Sequence, residues 1–481
     1  MFKTLFNIFR IPELRNKLLF TVGLLCVYRI GFFVPLPGVD THALSLFVSQ
    51  QSNSAVGQIS NYLSLFSGGN LGMSTIFGLG IMPYISASII FQLLGTVIPS
   101  LEKLQKEGEP GMRKINEWTR YATVVLCVIQ SVVWLKYLTA TSPHRAHGLL
   151  YPNTYYHHLT LFWITGLLAM SAGSIFLMWL GEQIDAFGIG NGVSLIIMAS
   201  IVSRMPSAIA SLYKHTSLTV AGAENHRHGI GTIMFLLAAF VSVSAGAIIL
   251  EQAQRRLSIQ QAKHIRGNRV YGGQTQYLPL RVNHGGVMPI IFASSLMLIP
   301  TVVLQWLSPH LGQFRVFQVL ESSLITGHYL YIVCYVAMIF FFSYFWNTVQ
   351  FRPKEMADQL RDYGSFIKGL RPGKRTAEYL ENVMTRITYC GAAFLAVIAL
   401  VPTVVSRYMG VNYMITQFLG GTGLLIVVSV LLDFINRVEA NLVMRNYGSL
   451  LEPESSSSAR RKPAAAQGSA TSIRPVKGSA A

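Results

Sequence analysis

Long apolar runs alternate with short polar ones along nearly the whole chain. The runs centre near residues 18–36, 75–98, 119–139, 158–181, 190–211, 229–250, 287–306, 328–349, 387–405 and 418–436. Each is close to the roughly 20 residues that a helix needs to cross a hydrocarbon layer, so ten spans are predicted. In the second and fifth runs aliphatic pairs recur at i and i+4, Ile81 with Ile85 and Val193 with Ile197. That spacing puts each pair on one helix face. Pro83 lies inside the first pair and is expected to loosen the local backbone ladder. Ser86, Ser88 and Gln92 follow in the same run, and polar residues on such a helix are expected to bond to a neighbouring helix. One stretch breaks the pattern. Residues 61–72 carry Leu63, Leu65 and Phe66, no charge, and glycines at Gly68, Gly69 and Gly72. The stretch is too short and too polar to span a bilayer.

Charge orients the spans. Only 12% of the 481 residues are charged, against about 25% in an ordinary soluble domain, which makes the chain a polytopic membrane protein. The net charge of +18 is explained by the excess of Lys and Arg that membrane proteins keep in cytoplasmic loops; a polyanionic partner such as an RNA-bearing particle remains compatible with it. Loop 251–286 holds Arg255, Arg256, Lys263, Arg266, Arg269 and Arg281. Loop 350–386 holds Arg352, Lys354, Arg361, Lys368, Arg371, Lys374, Arg375 and Arg386. Both are predicted to be cytoplasmic, and both termini with them. Val34 to Ser74, without a single Lys or Arg, falls outside. Five spans per half reverse the second half, a parity that permits an inverted repeat with a site between the halves. The organisation predicted is a cytoplasmic amphipathic segment at 1–17, retained rather than cleaved, then half one at 18–212 and half two at 213–450. A disordered tail rich in Ser, Ala, Pro and basic residues follows at 451–481.

Chemistry is sparse. No HExxH, GxSxG or paired intramembrane carboxylate occurs. FGIGNGVS, at 187–194, lacks the strand and the GK[ST] of a phosphate loop and reads as a tight turn in which glycines supply positive φ. Cys26, Cys127, Cys334 and Cys390 lie far apart in apolar runs and are expected to be buried small hydrophobes. His144, His147, His157 and His158 read as solvated loop histidines, with metal ligation the alternative. Arg29 and Asp433 are the ionisable residues assigned to spans, both near an interface. These features speak against an enzyme, a cofactor or a metal, and for a membrane part that holds an opening. A secondary transporter with inverted repeats is the alternative, which would need a small-molecule site and a coupling ion.

FSGG, GIMPYISASII, GEQIDAFGIGNG, LPLRVN…GVMPIIFASS and GLRPGKRTAEYL…VMTRIT resemble the bacterial SecY family, from about Lys17 to Tyr447. The resemblance implies an all-α polytopic fold of ten transmembrane helices in two inverted five-helix halves, with a short plug helix. It implies a protein-conducting channel in the bacterial cytoplasmic membrane, through which unfolded preproteins pass and from which apolar segments leave sideways between the second and seventh spans. Residues 61–72, with Leu63, Phe66, Gly68 and Gly69, match the plug. The pore ring falls on Ile81, Ile85, Val193, Ile197, Ile291 and Ile426, with valine at Val193 where isoleucine is commonest. A lateral gate is expected to rest on Ser86, Ser88 and Gln92 with Asn283 and Ser294. Arg255, Arg256 and Arg371 are expected to dock the SecA motor ATPase or the ribosome. SecE and SecG are the implied membrane subunits. The signal sequence, YidC, SecD/SecF and the phospholipid bilayer are further implied partners.

Overall fold

The computed structural model describes residues 12–44, 74–141, 158–214, 230–261, 264–266, 269–271, 275–297, 328–409 and 422–451, with a few isolated positions between. The chain divides into two units, Met1–Phe434 and Ile435–Ala481. The first carries all the sites considered below, and the described part of the second is helical. The predicted plug, 61–72, lies outside the described residues, as do His144, His147, His157 and the tail from residue 452.

The helices follow the apolar runs. They are α1 (Pro12–Gly31), α2 (Met82–Val97), α3 (Pro99–Lys106), α4 (Glu109–Thr141), α5 (Leu159–Phe187), α6 (Gly192–Val202), α7 (Met205–Lys214) and α8 (Ile230–Gln252). After a β-hairpin come α9 (Met288–Met297), α10 (Tyr329–Gln350), α11 (Pro353–Asp362), α12 (Lys374–Met409) and α13 (Thr422–Leu451). Among the described residues six helices are long and apolar enough to cross a membrane. The pair α2–α3, bent by 103°, makes a seventh. The other three predicted spans overlap α1, the ten-residue α9 and α13, none of which passes that test among the described residues.

Prolines set the ends of α2. Residues 76–81 are turns, not helix, and Pro83 stands in the first turn of α2. There its missing N–H is one that no helix could bond, and its fixed φ suits the helix start. Pro83 therefore begins the helix and does not loosen it, correcting the sequence expectation. The i, i+4 relation of the first aliphatic pair survives, because the Ile85 amide donates to the Ile81 carbonyl at 3.1 Å. At the other end Ile98 is extended, with φ −94° and ψ 115°, as a residue before proline must be. Pro99 then starts α3 in a new direction.

The glycine-rich turn joins α5 to α6. Gly190 has φ +100°, the left-handed region. Asn191 caps α6, its Oδ1 accepting from the Ser194 amide at 3.0 Å. Asp185 Oδ1 accepts from the Gly192 amide at 2.7 Å. Gly192 lies so close to Gly181 that a Cβ there would overlap the Gly181 carbonyl, which brings α5 and α6 into backbone contact.

The two basic loops fold together. β1 (Gln254–Gln261) pairs antiparallel with β4 (Thr275–Arg281), Arg255 opposite Leu280 and Leu257 opposite Leu278. Between them β2 (His264–Arg266) and β3 (Arg269–Tyr271) pair as a hairpin. The other edge of β1 takes β5 (Ser365–Ile367), Ile259 opposite Ile367, giving the order β4-β1-β5. Loop 350–386 is thus mostly structured, and α12 starts at Lys374, well before the predicted span at 387. Its Leu380, Val383, Met384 and Ile387, spaced i, i+3, i+4 and i+7, cover one face. They bury against Leu257, Leu280, Phe351 and Ile367 in one apolar cluster.

Two larger clusters form the membrane part. One gathers α1, α2, α5 and α6 with Ile291 of α9 and with Ile426 and Val430 of α13. The other gathers α8, α10 and α12 with Ile290, Phe292 and Ala293 of α9 and with Leu424 and Leu425 of α13. Successive residues on a helix point about 100° apart, so α9 and α13 present different faces to the two clusters. Of the cysteines, Cys127 is buried, Cys334 is half-buried, and Cys26 and Cys390 are exposed on their helices. The expectation that all four are buried is corrected: an apolar run supplies exposed as well as buried helix positions, and Cys26 and Cys390 fall on exposed ones.

Adding one methyl at Gly192 tests the close approach of α5 and α6. Gly192→Ala is expected to lower stability by about 1–3 kcal/mol, the usual cost of overpacking. A lowered thermal unfolding midpoint of the detergent-solubilised chain would show it, and an unchanged midpoint would rule out the contact.

Candidate functional site

The six residues predicted for the ring all belong to, or pack against, one large apolar cluster. Ile81, Ile85, Ile197, Ile291 and Ile426 are buried members of the first cluster, and Val193 packs against it. They come from α6, from α2 and the turn before it, and from α9 and α13. Ile81 and Ile426 are 1% and 3% exposed. The site is the line where residues of the first half touch the two helices that also belong to the second cluster. The six side chains there are all aliphatic and carry no polar group.

The polar residues predicted for the gate lie on both sides of this line but bond elsewhere. Gln92 Nε2 donates to Ser88 Oγ at 3.3 Å, one turn earlier on α2. Ser294 Oγ donates to the Ile291 carbonyl at 2.9 Å on its own helix. Ser86 is half-buried on α2. Asn283 precedes α9 and donates through Nδ2 to the Gly286 carbonyl at 2.9 Å and to Glu251 Oε1 at 3.2 Å. The same Glu251 oxygen accepts from Ser429 Oγ of α13 at 2.9 Å. Glu251, at the end of α8, was not among the residues singled out from sequence. It directly follows the apolar run 229–250, so it reads as the first residue of a loop. A carboxylate directly after such a run is the available signal.

Arg204 was also missed, because a single guanidinium among apolar residues looks like an interfacial anchor. It is only 9% exposed, between α6 and α7. Beside it Arg29 donates to Ser203 Oγ at 3.2 Å and stacks over the Phe33 ring, 5.2 Å from its centroid. A further missed pair joins α4 to α5, where Arg120 Nε donates to Glu182 Oε1 at 2.7 Å. Half-exposed pairs like this contribute about 0–1 kcal/mol.

The three arginines predicted to dock a partner are all exposed. Arg255 and Arg256 open β1. Arg371 lies in the turn between β5 and α12, bounded by Gly369 at φ +89° and Gly373 at φ +120°. The turn is tied down by Thr376, whose Oγ1 donates to the Arg371 carbonyl at 2.8 Å, and by the Leu370 amide, which donates to the Ile367 carbonyl at 3.0 Å. Because β5 pairs with β1, the Arg371 turn follows a strand of the same sheet in which β1 carries Arg255 and Arg256, and that sheet has one apolar floor. A guanidinium held there can fork onto a carboxylate or a phosphate. Thr376→Val removes the bond to the Arg371 carbonyl. The bond is worth about 0.5–1.5 kcal/mol, so amide hydrogen exchange over residues 368–373 is expected to quicken about two- to tenfold. Unchanged exchange would mean that the turn is fixed by its glycines and proline alone.

Comparison with known proteins gives this geometry its context. The SecY family model matches residues 75–435. The protein translocase subunit SecY of Haemophilus influenzae is 41% identical over 441 residues, covering 92% of this chain and 94% of the relative. A solved structure described as a protein-conducting channel matches 91% of this chain and 94% of its own, with TM-score 0.58 and 16% identity. Canine Sec61, solved in a ribosome–channel complex, matches 91% of this chain and 94% of its own, with TM-score 0.54 and 16% identity. The fold is that of an all-α polytopic membrane channel, and the chain belongs to the SecY family of protein translocase subunits.

Proposed function

We propose that the aliphatic ring is the gasket of the channel and that the sheet-borne arginines are its docking face. One observation supports the reading: six residues, far apart in sequence, belong to or pack against one apolar cluster that joins elements of both halves. An unfolded preprotein would pass between them. Flexible aliphatic chains close around side chains of many shapes and leave no hydrogen bond unsatisfied, so one ring serves unrelated substrates. A signal sequence or an apolar segment would leave sideways between α2 and α9, which carry the polar residues of the gate. Channel opening needs no chemistry from this chain, so the driving force is assigned to partners: the SecA motor, or the ribosome, which is bound to the canine relative of this fold. SecE and SecG complete the channel in this reading. In this reading the sheet and both termini lie on the cytoplasmic side of a bacterial inner membrane, an orientation that the excess of Lys and Arg in the two loops supports.

The ring is tested by wetting it. Ile85→Asn with Ile197→Asn, in a chain whose residues 61–72 are deleted, is expected to raise the resting ion conductance of planar bilayers at least about tenfold, because a polar neck holds water. Conductance equal to that of the deletion alone would remove these residues from the constriction.

Arg371 separates docking from mere charge. Lysine keeps the charge and loses the fork. If Arg371 docks a motor, Arg371→Ala is expected to cut SecA-driven translocation into inverted vesicles by at least about tenfold, and Arg371→Lys by less, at unchanged protein level and loop orientation. A change of about 1.4 kcal/mol in binding gives the tenfold step. If positive charge is all that matters, both variants translocate as wild type, because Lys368, Lys374 and Arg375 remain.

A further inference from the structure

The polar knot at Glu251 lies outside the ring and the docking face, and it joins three elements that the ring needs in register. Glu251 ends α8, Asn283 sits in the turn that leads from β4 into α9, and Ser429 lies on α13. One carboxyl oxygen, Oε1, accepts from both Asn283 Nδ2 and Ser429 Oγ. Asn283 is 7% exposed, and its second donated bond, to the Gly286 carbonyl, closes the turn itself. Ser429 is one turn from Ile426, so the bond to it fixes the height and rotation of the α13 segment that carries one ring residue. Asn283 is eight positions before Ile291, and the bond to it fixes the start of the helix that carries another.

The same turn is held from the α10 side. Gly285 lies against Trp346, and the His284 ring meets the Phe351 ring edge-on at 5.9 Å between centroids. The Val282 amide donates to the Ala253 carbonyl at 2.9 Å. The contacts to Trp346 and Phe351 are apolar or aromatic, and they tolerate sliding. The Glu251 bonds are directional and do not.

We propose that Glu251 is a positioning residue, a latch whose carboxyl oxygen holds α9 and α13 together so that Ile291 and Ile426 stay in the closed ring until a signal segment displaces α9. This rests on the gasket reading above. The three residues come from α8, the hairpin exit and α13, so the latch is broken when α9 swings about its first turn, and it reforms when α9 returns.

The experiment measures export, by the full translocase in membrane vesicles, of a preprotein whose signal segment has been made less apolar. A weakened latch favours the open arrangement, so a poor signal should suffice. Glu251→Leu is expected to raise that export about tenfold, the population shift set by losing two hydrogen bonds to a carboxyl group. Ser429→Ala should raise it by less, about threefold. The double variant should match Glu251→Leu alone, because both changes remove one shared interaction. Glu251→Gln should restore export to within about twofold of wild type, since the amide oxygen accepts the same two donors.

Wild-type export by Glu251→Leu at wild-type membrane level would overturn the latch. So would a glutamine variant as altered as the leucine one, or single effects that multiply in the double. If Glu251→Leu fails to accumulate, Ser429→Ala decides, and an unchanged threshold there overturns the proposal. Ile291→Asn in the same vesicles keeps the two readings apart. If that variant leaks ions while the Glu251 variants leave the threshold untouched, the ring stands and the latch fails. If it does not leak, the gasket reading is what has failed.

Discussion

Two helices, α9 and α13, have to satisfy two apolar clusters at once, and the membrane part is organised around that demand. Ile290 and Phe292 face the cluster of α8, α10 and α12, while Ile291 between them faces the cluster of α1, α2, α5 and α6. On α13 the same division separates Leu424 and Leu425 from Ile426. In a bilayer the lipid tails are as apolar as leucine, so no hydrophobic gain drives helices together. What holds the halves along this line is close packing of aliphatic surfaces. Each atom pair contributes only about 0.1–0.2 kcal/mol, and the contacts have no preferred direction. Such a seam is tight when closed and has no bond to break when it parts, which suits a channel that must seal against ions and admit a polypeptide.

Direction is supplied at the ends of the helices. Pro83 and Pro99 fix where α2 begins and where the chain turns away from it. Asn191 and Asp185 fix the start of α6, so that Val193 and Ile197 present one face. The turn before α9 is bonded to α8, and through Glu251 to α13. Polar groups are affordable at these levels because helix ends carry backbone groups that need partners in any case. The aliphatic ring between them carries none.

The spans, the two aliphatic pairs and the basic loops were legible because each rests on a strong local signal: a 20-residue apolar run, a spacing of four, a cluster of Arg and Lys. The β4-β1-β5 sheet was not legible. QRRLSIQQ and TQYLPLR are short and polar, and only Leu257, Ile259 and Leu280 are buried, so their alternation is drowned by the charges around them. The early start of α12 was hidden likewise, because its apolar stripe is interrupted by Glu378, Glu381 and Arg386 on the outer face. Pro83 was misread because the apolar run begins seven residues before the helix does, and hydropathy does not distinguish a turn built of Gly78 and Gly80 from a helix of the same composition. Gln92 and Ser294 were expected to bond across helices, whereas both found partners on their own helix at i−4 or i−3, positions that sequence offers to any such side chain. Glu251 escaped because its partners lie 32 and 178 residues away, a distance that only the fold closes.

The sheet changes what the basic loops can do. As separate flexible loops, two sets of positive charges would report only on membrane orientation. Joined through β1, they rest on a common floor of Leu257, Leu280, Ile367 and Leu380. β4 runs from that surface into Val282, Asn283 and the first turn of α9, and the Val282 amide is bonded to Ala253 beside the end of α8. The surface proposed for docking and the seam therefore share one stretch of backbone twelve residues long, Leu280 to Ile291. That stretch carries the directional bonds at Asn283 as well as Ile291 of the aliphatic cluster.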